Sequence, residues 1–380
     1  MKNFDLTKKI LTAISILVGT VVGAGVLGMP YVAAHAGFFV VLGYLLIFGG
    51  LILWINLCFG EVLLRTKEEH HLMGIASRYL GKKGKDAMFL FVLIAVFSAL
   101  IAYMLGVGES LSFLIFGDSR GTAALGALFG FFMSYLLWGG ISSLKKYEIL
   151  GVSMIALITI LIIFYFSKNI KISNLLTFNS IYFMLPFGVV MFSLVEFYSL
   201  PAMRKVMKNH EKYIKKVIAI GVIIPIIFYI LFTVIVVGYA GLSTPQISTI
   251  YFGPLFIFLG IVTMFTSYLS LGTALERSYM LDYKNRKKQA WFKASILPIV
   301  IFLLLQFFKF FSFVTMISVG GVVAGGLITI MILLIHQKSL KEGNRRPEYT
   351  AYNSKVLIIL ASFLFIIGIL LEIFGIIRHL

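Results

Sequence analysis

One acidic residue, Glu196, stands in the interior of the apolar segment "YFMLPFGVVMFSLVEFYSLPAMRK". Near the centre of a membrane span, a charged side chain costs roughly 2.5 to 3.5 kcal/mol on insertion scales, so it usually has a function or a partner. A carboxyl group there either carries a proton or binds an ammonium group. The alternative is structural, with Glu196 paired to Tyr198 or to another helix. Pro186 and Pro201 bracket the segment, and two prolines with an acid argue against simple helix packing.

A second unusual set of residues lies in "TVVGAGVLGMPYVAAHAG", residues 20–37, which carries no formal charge. Gly23, Gly25, Gly28 and Pro30 are poor helix formers in the middle of this stretch. In lipid, non-helical backbone is tolerated only where it is buried in protein or lines a cavity. Amide groups freed at a half-helix N-terminus suit a carboxylate, and freed carbonyl groups suit an ammonium group or a small cation. An α-amino acid carries both charges. Close helix packing through small-xxx-small pairs is the alternative.

The composition indicates what kind of elements must position these residues. A hydrophobic content of 60%, a charged content of 13% and a mean hydropathy of +1.01 lie far outside the range of soluble domains. We therefore expect an all-α polytopic membrane protein. Because a span needs about 20 apolar residues, the apolar runs predict eleven spans. They cover roughly residues 10–36, 38–63, 86–116, 122–142, 149–167, 181–203, 216–240, 254–280, 293–310, 312–336 and 355–377.

The positions of lysine and arginine predict the orientation of these spans, because short cytoplasmic loops retain basic residues. With the N-terminus inside and the C-terminus outside, all but five of the 33 basic residues fall on the inner side. The net charge of +18 then reflects topology and attraction to anionic lipid headgroups, and it does not indicate nucleic acid binding. The five basic residues left at the outer side are Arg120, Lys168, Lys171, Lys309 and Arg378.

The first and sixth predicted spans, which hold the glycine run and Glu196, are five spans apart. An odd separation makes the two spans antiparallel, as an inverted repeat requires. Residues 23–25 lie midway along the first span, and residues 193–196 lie somewhat to the cytoplasmic side of the middle of the sixth. The two interruptions are therefore expected to meet near the bilayer centre.

The first-span sequence "GTVVGAGVLGMPYVAAHAGF" resembles that of the amino acid/auxin permeases, a group of the amino acid-polyamine-organocation superfamily. It is most similar to the bacterial branch of hydroxy and aromatic amino acid permeases, with the pattern G-T-x-x-G-A-G-x-L-x-M-P. The likeness continues in "SRYLGKKGK", "SLPAMRK" and "TSYLSLGTALERSYMLDY" and covers most of the chain. Only the first-span motif is specific.

The resemblance implies one transmembrane transporter domain, residues 1–380, with a LeuT-like 5+5 inverted-repeat bundle. Residues 10–168 would form the first repeat, residues 181–336 the second, and residues 355–377 an extra final helix. The resemblance also implies a secondary active transporter, a symporter that imports amino acids across the cytoplasmic membrane by alternating access. No cofactor is expected; a proton or a sodium ion would be co-transported with the substrate.

Candidate binding residues surround the two interruptions. By resemblance, the carboxylate subsite would lie on span 1, although relatives usually have a small residue at the span 6 interruption where this chain has Leu194, Val195 and Glu196. The substrate-binding candidates are Gly23, Ala24, Gly25, Val26, Phe192, Ser193 and Glu196.

The ion-coupling candidates are Glu196 and hydroxyl groups of span 8, because span 8 supplies sodium ligands in LeuT-like folds. Such hydroxyls also commonly bond to carbonyl groups of their own helix. The hydroxyl-bearing candidates are Thr266, Ser267, Ser270 and Thr273. Four aromatic residues either shape an apolar substrate pocket or pack in the core, and they are Tyr103, Phe192, Phe197 and Tyr198.

Other functions are less compatible with the sequence. A non-transporting amino acid sensor with a transporter fold is the alternative, although the longest polar segment, residues 337–355, is too short for a signalling domain. An enzyme is not expected, because six scattered histidines and one cysteine offer no catalytic constellation.

His70 and His71 lack a third ligand nearby, so a solvated pair is expected there and not a metal site. The sequence leaves open the amino acid, the coupled ion and the oligomeric state.

Overall fold

The computed structural model describes residues 2–308 and 312–379, so Lys309 and the end of the ninth predicted span lie outside the described residues. Within these ranges the chain is helical and has no β-strand. π-helical turns at Phe292–Ile296 and Val322–Ile328 join α12 to α13 and α14 to α15. The α-helices are α1 (Lys2–Val21), α2 (Gly25–Ala36), α3 (Phe38–Arg65), α4 (Leu72–Phe116), α5 (Thr122–Leu137), α6 (Ile141–Phe166), α7 (Ile172–Leu175), α8 (Pro186–Leu194), α9 (Leu200–Val206), α10 (Ile214–Ala240), α11 (Pro254–Asp282), α12 (Lys287–Trp291), α13 (Leu297–Phe308), α14 (Phe313–Gly321), α15 (Thr329–Glu342) and α16 (Lys355–His379).

Each predicted span corresponds to one helix or to consecutive helices, although the limits differ by several residues. By length and apolarity, seven helices of the described chain are able to cross a membrane, and the pair α1 and α2, bent by 49°, raises the number to eight. α5 and the Lys355–Leu371 part of α16 are shorter apolar helices that also match predicted spans. The count of eleven and the orientation stay predictions.

Large apolar side chains cover the outside of the bundle, whereas many polar side chains lie inside it. Phe164 of α6 and Phe307 of α13 are each 81% exposed, but Thr266 and Ser267 of α11 are fully buried. A soluble protein would place its polar groups at the surface, so the outside of this bundle is suited to lipid. The chain is a multi-pass membrane protein.

α4 is longer than a single span because it contains a sharp turn. Gly81 has φ 71° and ψ −166°, which breaks the helical path between the short segment that begins at Leu72 and the long apolar remainder. A positive φ is open to glycine without steric cost. The short segment buries Ile75 and Tyr79 against the rest of the protein, and the remainder of α4 passes beside the site described below.

A buried carboxylate fastens the segment after α15 to the end of α3. Glu61 Oε2 accepts hydrogen bonds from His336 Nε2 at 3.0 Å and from the Ala351 amide at 2.7 Å. Glu61 Oε1 accepts a hydrogen bond from Arg65 Nε at 2.8 Å. These contacts tie span 2 to span 10 and to the connection that leads to span 11.

We expect Glu61→Ala to lower the free energy of unfolding by about 3–5 kcal/mol, the usual effect of removing one partner from a buried ion pair. His336 and Arg65 would lose their shared acceptor. Thermal unfolding of the purified protein in detergent measures the change. Glu68→Ala is the control, because Glu68 is 50% exposed and pairs with Arg78, and it should cost about 1 kcal/mol or less. Equal losses in both variants would contradict the role given to Glu61.

Candidate functional site

The first span is interrupted between α1 and α2. α1 ends at Val21, α2 begins at Gly25, and the two helices are bent by 49°. The amide of Gly23 donates to the carbonyl group of Val21 at 2.9 Å, which closes a tight turn. The amides of Ala24 and Gly25 precede the first complete turn of α2, so no carbonyl group of this helix can accept from them. They stand at the positive end of the helix dipole, where a carboxylate is favoured.

The sixth span is interrupted between α8 and α9. Residues 195–199 leave the helical path, and the amide and hydroxyl of Ser199 both donate to the carbonyl group of Glu196, at 2.9 and 2.7 Å. α1 packs against α9 and α2 packs against α8, so the two spans run antiparallel. The interruption begins at Val195, so Ser193 belongs to the last turn of α8 and the predicted window of residues 193–196 is too early by two residues.

At Gly25 the two interrupted spans approach each other closely. A methyl group on Gly25 would overlap the Ser193 hydroxyl and would lie 2.7 Å from Ser193 Cβ and 3.1 Å from its Cα. Only glycine therefore permits this contact without a shift of one helix. The amides at the start of α2 are thus brought against the last turn of α8, where carbonyl groups lack helical partners. The amide end of one interrupted span therefore packs on the carbonyl end of the other, an arrangement that suits a zwitterion.

A small cavity lies between the interruptions and the neighbouring spans. The volume accessible to the centre of a water molecule is about 20 Å³. The rings of Tyr103 and Phe192 meet edge to face, with their centroids 6.3 Å apart. Pockets that hold small ligands enclose about 300–1,000 Å³, so the spans must separate before an amino acid can enter. The lining residues are Thr20, Ala95, Ala99, Tyr103, Phe192, Val195, Tyr198, Leu271 and Gly320.

Three of the four candidate aromatic residues are found at this cavity. Tyr103, Phe192 and Tyr198 line it, whereas Phe197 is fully buried beside Tyr198, with ring centroids 4.9 Å apart. The cavity wall is otherwise built from small and aliphatic side chains. Its composition suits a flat apolar side chain, because aromatic rings pack edge to face or offset against one another.

Glu196 is fully buried, and its carboxylate is directed towards α3. Asn56 Nδ2 donates to Glu196 Oε1 at 3.0 Å. Among the residues that the structure describes, Oε2 has no hydrogen-bond partner. The residues lining the cavity include the neighbours Val195 and Tyr198 but not Glu196. This geometry favours pairing with another helix over direct contact with an ammonium group, and Oε2 is the atom at which the residue would accept a proton.

Two of the four candidate hydroxyl groups on α11 reach the end of α1. Ser267 Oγ donates to the carbonyl groups of Gly19 and Thr20, at 2.7 and 3.1 Å. Ser270 Oγ shares a hydrogen bond with Thr20 Oγ1. Hydroxyl groups of α11 therefore hold the last turn of α1, and several hydroxyl and carbonyl oxygen atoms lie close together there.

The other two candidate hydroxyls do not bond to α1. Thr266 Oγ1 donates to the Thr263 carbonyl of its own helix at 2.9 Å. The Thr273 hydroxyl is buried and has no hydrogen-bond partner within the described ranges. From α10, the Tyr229 hydroxyl donates to the Val21 carbonyl at 2.6 Å, a contact that the sequence did not suggest.

A larger cavity opens at the predicted outer face, with about 950 Å³ available to the centres of water molecules. Glu109 of α4 lines it, and so does part of the segment between α10 and α11, residues 245–250. Phe313 lines its inner end and packs with Met264 against Gly106, where a methyl group would lie 2.6 Å from Met264 Sδ and 3.0 Å from Phe313 Cε2. Gly106 is one helical turn from Tyr103, so these side chains stand between the outer and the central cavity.

His71 is buried, so the expectation of a solvated histidine pair is wrong for this residue. Arg277 Nε donates to His71 Nε2 at 3.3 Å, and the His71 amide donates to Asp282 Oδ1 at 3.2 Å. Burial lowers the pKa of His71 to about 4, so its imidazole is neutral at pH 7. In residues 2–308 and 312–379, no three His, Cys, Asp or Glu side chains are grouped to hold a metal ion.

Glu148 and Asn56 are buried polar residues that were not predicted from the sequence. The fifth predicted span begins at residue 149, but α6 begins at Ile141, which places the Glu148 side chain inside the bundle. Lys145 and Lys146, which precede Glu148, suggested a loop.

The helical bundle and its two antiparallel interrupted spans define a membrane protein of the LeuT type. The fold superposes on the crystal structure of MhsT in complex with L-phenylalanine with a TM-score of 0.68, covering 96% of this chain and 98% of that chain at 16% identity. The sequence profile of the tryptophan/tyrosine permease family matches residues 6–253, and the chain belongs to this family. The resemblance and the LeuT-like fold predicted from the sequence are confirmed.

A curated relative is the tyrosine-specific transport system 1 of Haemophilus influenzae, which is 27% identical over 221 residues. The match covers 57% of this chain and 54% of that protein. The chain therefore spans about half the length of this relative.

Proposed function

We propose that this protein is a cation-coupled symporter that imports aromatic amino acids across the cytoplasmic membrane by alternating access. One observation carries the proposal: the start of α2 packs on the last turn of the antiparallel α8, close to a cavity lined by Tyr103, Phe192 and Tyr198. Family membership and the names of the similar proteins support an aromatic substrate.

The backbone would bind the charged part of the substrate. The carboxylate would accept hydrogen bonds from the amides of Ala24 and Gly25, within the stretch Gly23, Ala24, Gly25 and Val26, because the amides of Gly23 and Val26 donate to the Val21 and Gly23 carbonyl groups. The ammonium group would bind carbonyl oxygens at the end of α8, near Phe192 and Ser193. No charged side chain lines the central cavity among the described residues, so the backbone is the source of polar contacts suited to a zwitterion.

The side-chain subsite would lie between spans 3 and 6. Tyr103 and Phe192 already form an edge-to-face pair, and a substrate ring would fit between them when the cavity expands. An aromatic pair is worth about 0.5–1.5 kcal/mol beyond its buried area. This preference favours tyrosine, tryptophan and phenylalanine over aliphatic amino acids of similar size.

Alternating access would connect this cavity to each side in turn. The outer cavity ends at Phe313, and rearrangement of Phe313 and Met264 would open a path to the centre. On the predicted inner side, a second cavity has about 110 Å³ for water centres and is lined by His71, Arg204 and Arg277, among others. Both cavities stop short of the central one in this conformation.

The proposal that uptake is coupled to a cation rests on the buried polar groups around the interruptions. Glu196 offers a proton site at Oε2, and the hydroxyl groups of Ser267 and Ser270 face α1, where a sodium site would lie. The remaining candidates, Thr266 and Thr273, lie on the same helix. A non-transporting sensor with the same binding site is the competing function.

Movement of the outer loop would accompany substrate binding. We expect a cysteine at Gln246, which lines the outer cavity, to react more slowly with a polar thiol reagent when L-tyrosine is bound. The native Cys58 is buried, so background labelling should be low. Lys168→Cys, at an exposed position, is the control and should label equally with and without substrate. If the cysteine at position 246 is labelled at the same rate with and without L-tyrosine, a gate at this loop is contradicted.

Binding to the purified protein tests the proposed substrate class. Tritiated L-tyrosine should bind to the detergent-solubilised protein and should be displaced by L-tryptophan and L-phenylalanine. L-Aspartate and L-lysine should not displace it, because no charged side chain lines the described cavity. Displacement by the charged amino acids, or an absence of binding by folded protein, would overturn the aromatic assignment.

A further inference from the structure

Glu148 of α6 is the most unusual titratable group outside the central cavity. Its side chain is fully buried, and both carboxylate oxygens lack a hydrogen-bond partner within residues 2–308 and 312–379. An ionised carboxylate in an apolar interior is so costly that the group takes up a proton or binds a cation instead. Glu148 is therefore a binding site for one of these two in this conformation.

The carboxyl group of Glu148 lies against the last turn of α1. Its Oε2 stands where a Cβ atom of residue 19 would be, so only glycine fits at Gly19 without moving the acid. The next residue, Thr20, lines the central cavity. The acid and the substrate cavity are thus connected through two consecutive residues of the helix that ends at the first interruption.

The hydroxyl groups of α11 nearest to this end of α1 are already engaged in hydrogen bonds with backbone carbonyl groups. A hard cation requires several oxygen ligands that converge on one point. Here the Gly19 and Thr20 carbonyl groups already accept hydrogen bonds from Ser267, and the Thr266 hydroxyl donates within its own helix. A proton needs only one acceptor atom, and each Glu148 oxygen offers one.

The charged and titratable groups on the helices packed against α6 do not neutralise Glu148. α1, α10 and α11 pack against α6, and in the part of the chain that the structure describes none of their groups bonds to the Glu148 carboxyl. Among the side chains that the structure describes, these groups, with the tyrosine beside Glu148 on its own helix, are Lys8, Lys9, Tyr147, Lys215, Lys216, Tyr229, Tyr239, Tyr268, Glu276, Arg277, Tyr279 and Asp282.

We propose that the carboxyl group of Glu148 binds the proton that drives uptake, an assignment that rests on the proposed symport. Protonated Glu148 is neutral and allows α1 to pack closely on α6 at Gly19. Loss of the proton leaves the negatively charged Glu148 carboxylate buried against α1. Water must then enter, and α1 must separate from α6. Substrate beside Thr20 and a proton on Glu148 stabilise the same packing of α1, which is the condition for coupling between two sites.

Glu148→Gln tests the assignment, because glutamine keeps the shape but cannot exchange a proton. In proteoliposomes, the variant should accumulate tritiated L-tyrosine under an imposed pH gradient about tenfold less than the wild type, within the usual range of coupling between sites. It should still exchange internal for external L-tyrosine at a rate similar to the wild type, and that exchange should no longer depend on pH. Retained exchange also demonstrates that the variant is folded.

Glu276→Gln is the matched control, since Glu276 of α11 is also buried, with Oε1 unpartnered in the described chain. It lies beside Gly140, where a methyl group would stand 3.9 Å from Glu276 Oε2, and it should keep accumulation and its pH dependence. If Glu148→Gln does not fold, Glu148→Asp replaces it, and a shifted pH profile of exchange is expected. An unchanged profile would overturn the assignment.

The remaining outcomes separate this proposal from the proposed function. If wild-type protein neither binds nor exchanges L-tyrosine, the proposed function fails. If the wild type exchanges it and Glu148→Gln accumulates it normally under a pH gradient, only the assignment of Glu148 fails. Accumulation by the wild type under a sodium gradient, with none under a pH gradient, would also overturn the proton assignment while leaving symport intact.

Discussion

Gly25→Ala is expected to lower L-tyrosine uptake by about tenfold to a hundredfold. The new methyl group would overlap the Ser193 hydroxyl and lie 2.7 Å from Ser193 Cβ. Overpacking of this kind costs about 1–3 kcal/mol, and each 1.4 kcal/mol or so is worth a factor of about ten. The strain falls on the contact between α2 and α8, where the backbone is proposed to bind the substrate. Uptake into proteoliposomes measures the effect.

Two further variants isolate this contact. Gly43→Ala is the control, because a methyl group at Gly43 meets no atom within 4 Å, and it should transport normally. Ser193→Gly removes the side chain that collides with the methyl group, so the double variant Gly25→Ala with Ser193→Gly should recover part of the activity. Recovery would be partial because the methyl group still lies 3.1 Å from Ser193 Cα. Additive losses in the double variant would show that the contact is not the cause.

Ala99→Phe is expected to weaken substrate binding by about a hundredfold or more, again from the cost of overpacking and direct exclusion of the substrate. Ala99 is buried at the wall of the central cavity. A phenyl ring there would occupy the space that the substrate ring is proposed to fill. Binding of tritiated L-tyrosine to the purified variant measures the loss.

Ile94→Phe is the matched control for this substitution. Ile94 is on the same helix but is 38% exposed at the outside of the bundle, so an added ring should leave binding unchanged. Size-exclusion chromatography would verify that both variants remain folded. Normal binding by Ala99→Phe would place the substrate elsewhere and contradict the assignment of the cavity.

The interrupted first span was predictable because glycine and proline have local conformational consequences. Gly23 and Gly25 disfavour helix wherever they occur, and a broken helix in lipid must serve a site or a contact. The antiparallel relation to span 6 followed from counting spans. Both features depend on short stretches of sequence and on the membrane as a solvent, so no tertiary information was needed.

The directions of the buried acids were not predictable from local sequence. Glu196 was identified as unusual, but its contact with Asn56 joins residues 140 positions apart. Glu148 was missed because the start of this helix was predicted at residue 149, eight residues after Ile141, so the acid was assigned to a loop. Helix limits and side-chain directions depend on packing between distant segments, and hydrophobic periodicity does not contain that information.

Uptake into proteoliposomes under imposed gradients tests the central claim most directly. The purified protein would be reconstituted and supplied with tritiated L-tyrosine under a proton gradient, a sodium gradient or neither. We expect accumulation above equilibrium under the proton gradient, suppressed by excess L-tryptophan or L-phenylalanine. Binding without accumulation under any gradient, from protein shown to be folded, would contradict transport and would favour a sensor with the same fold.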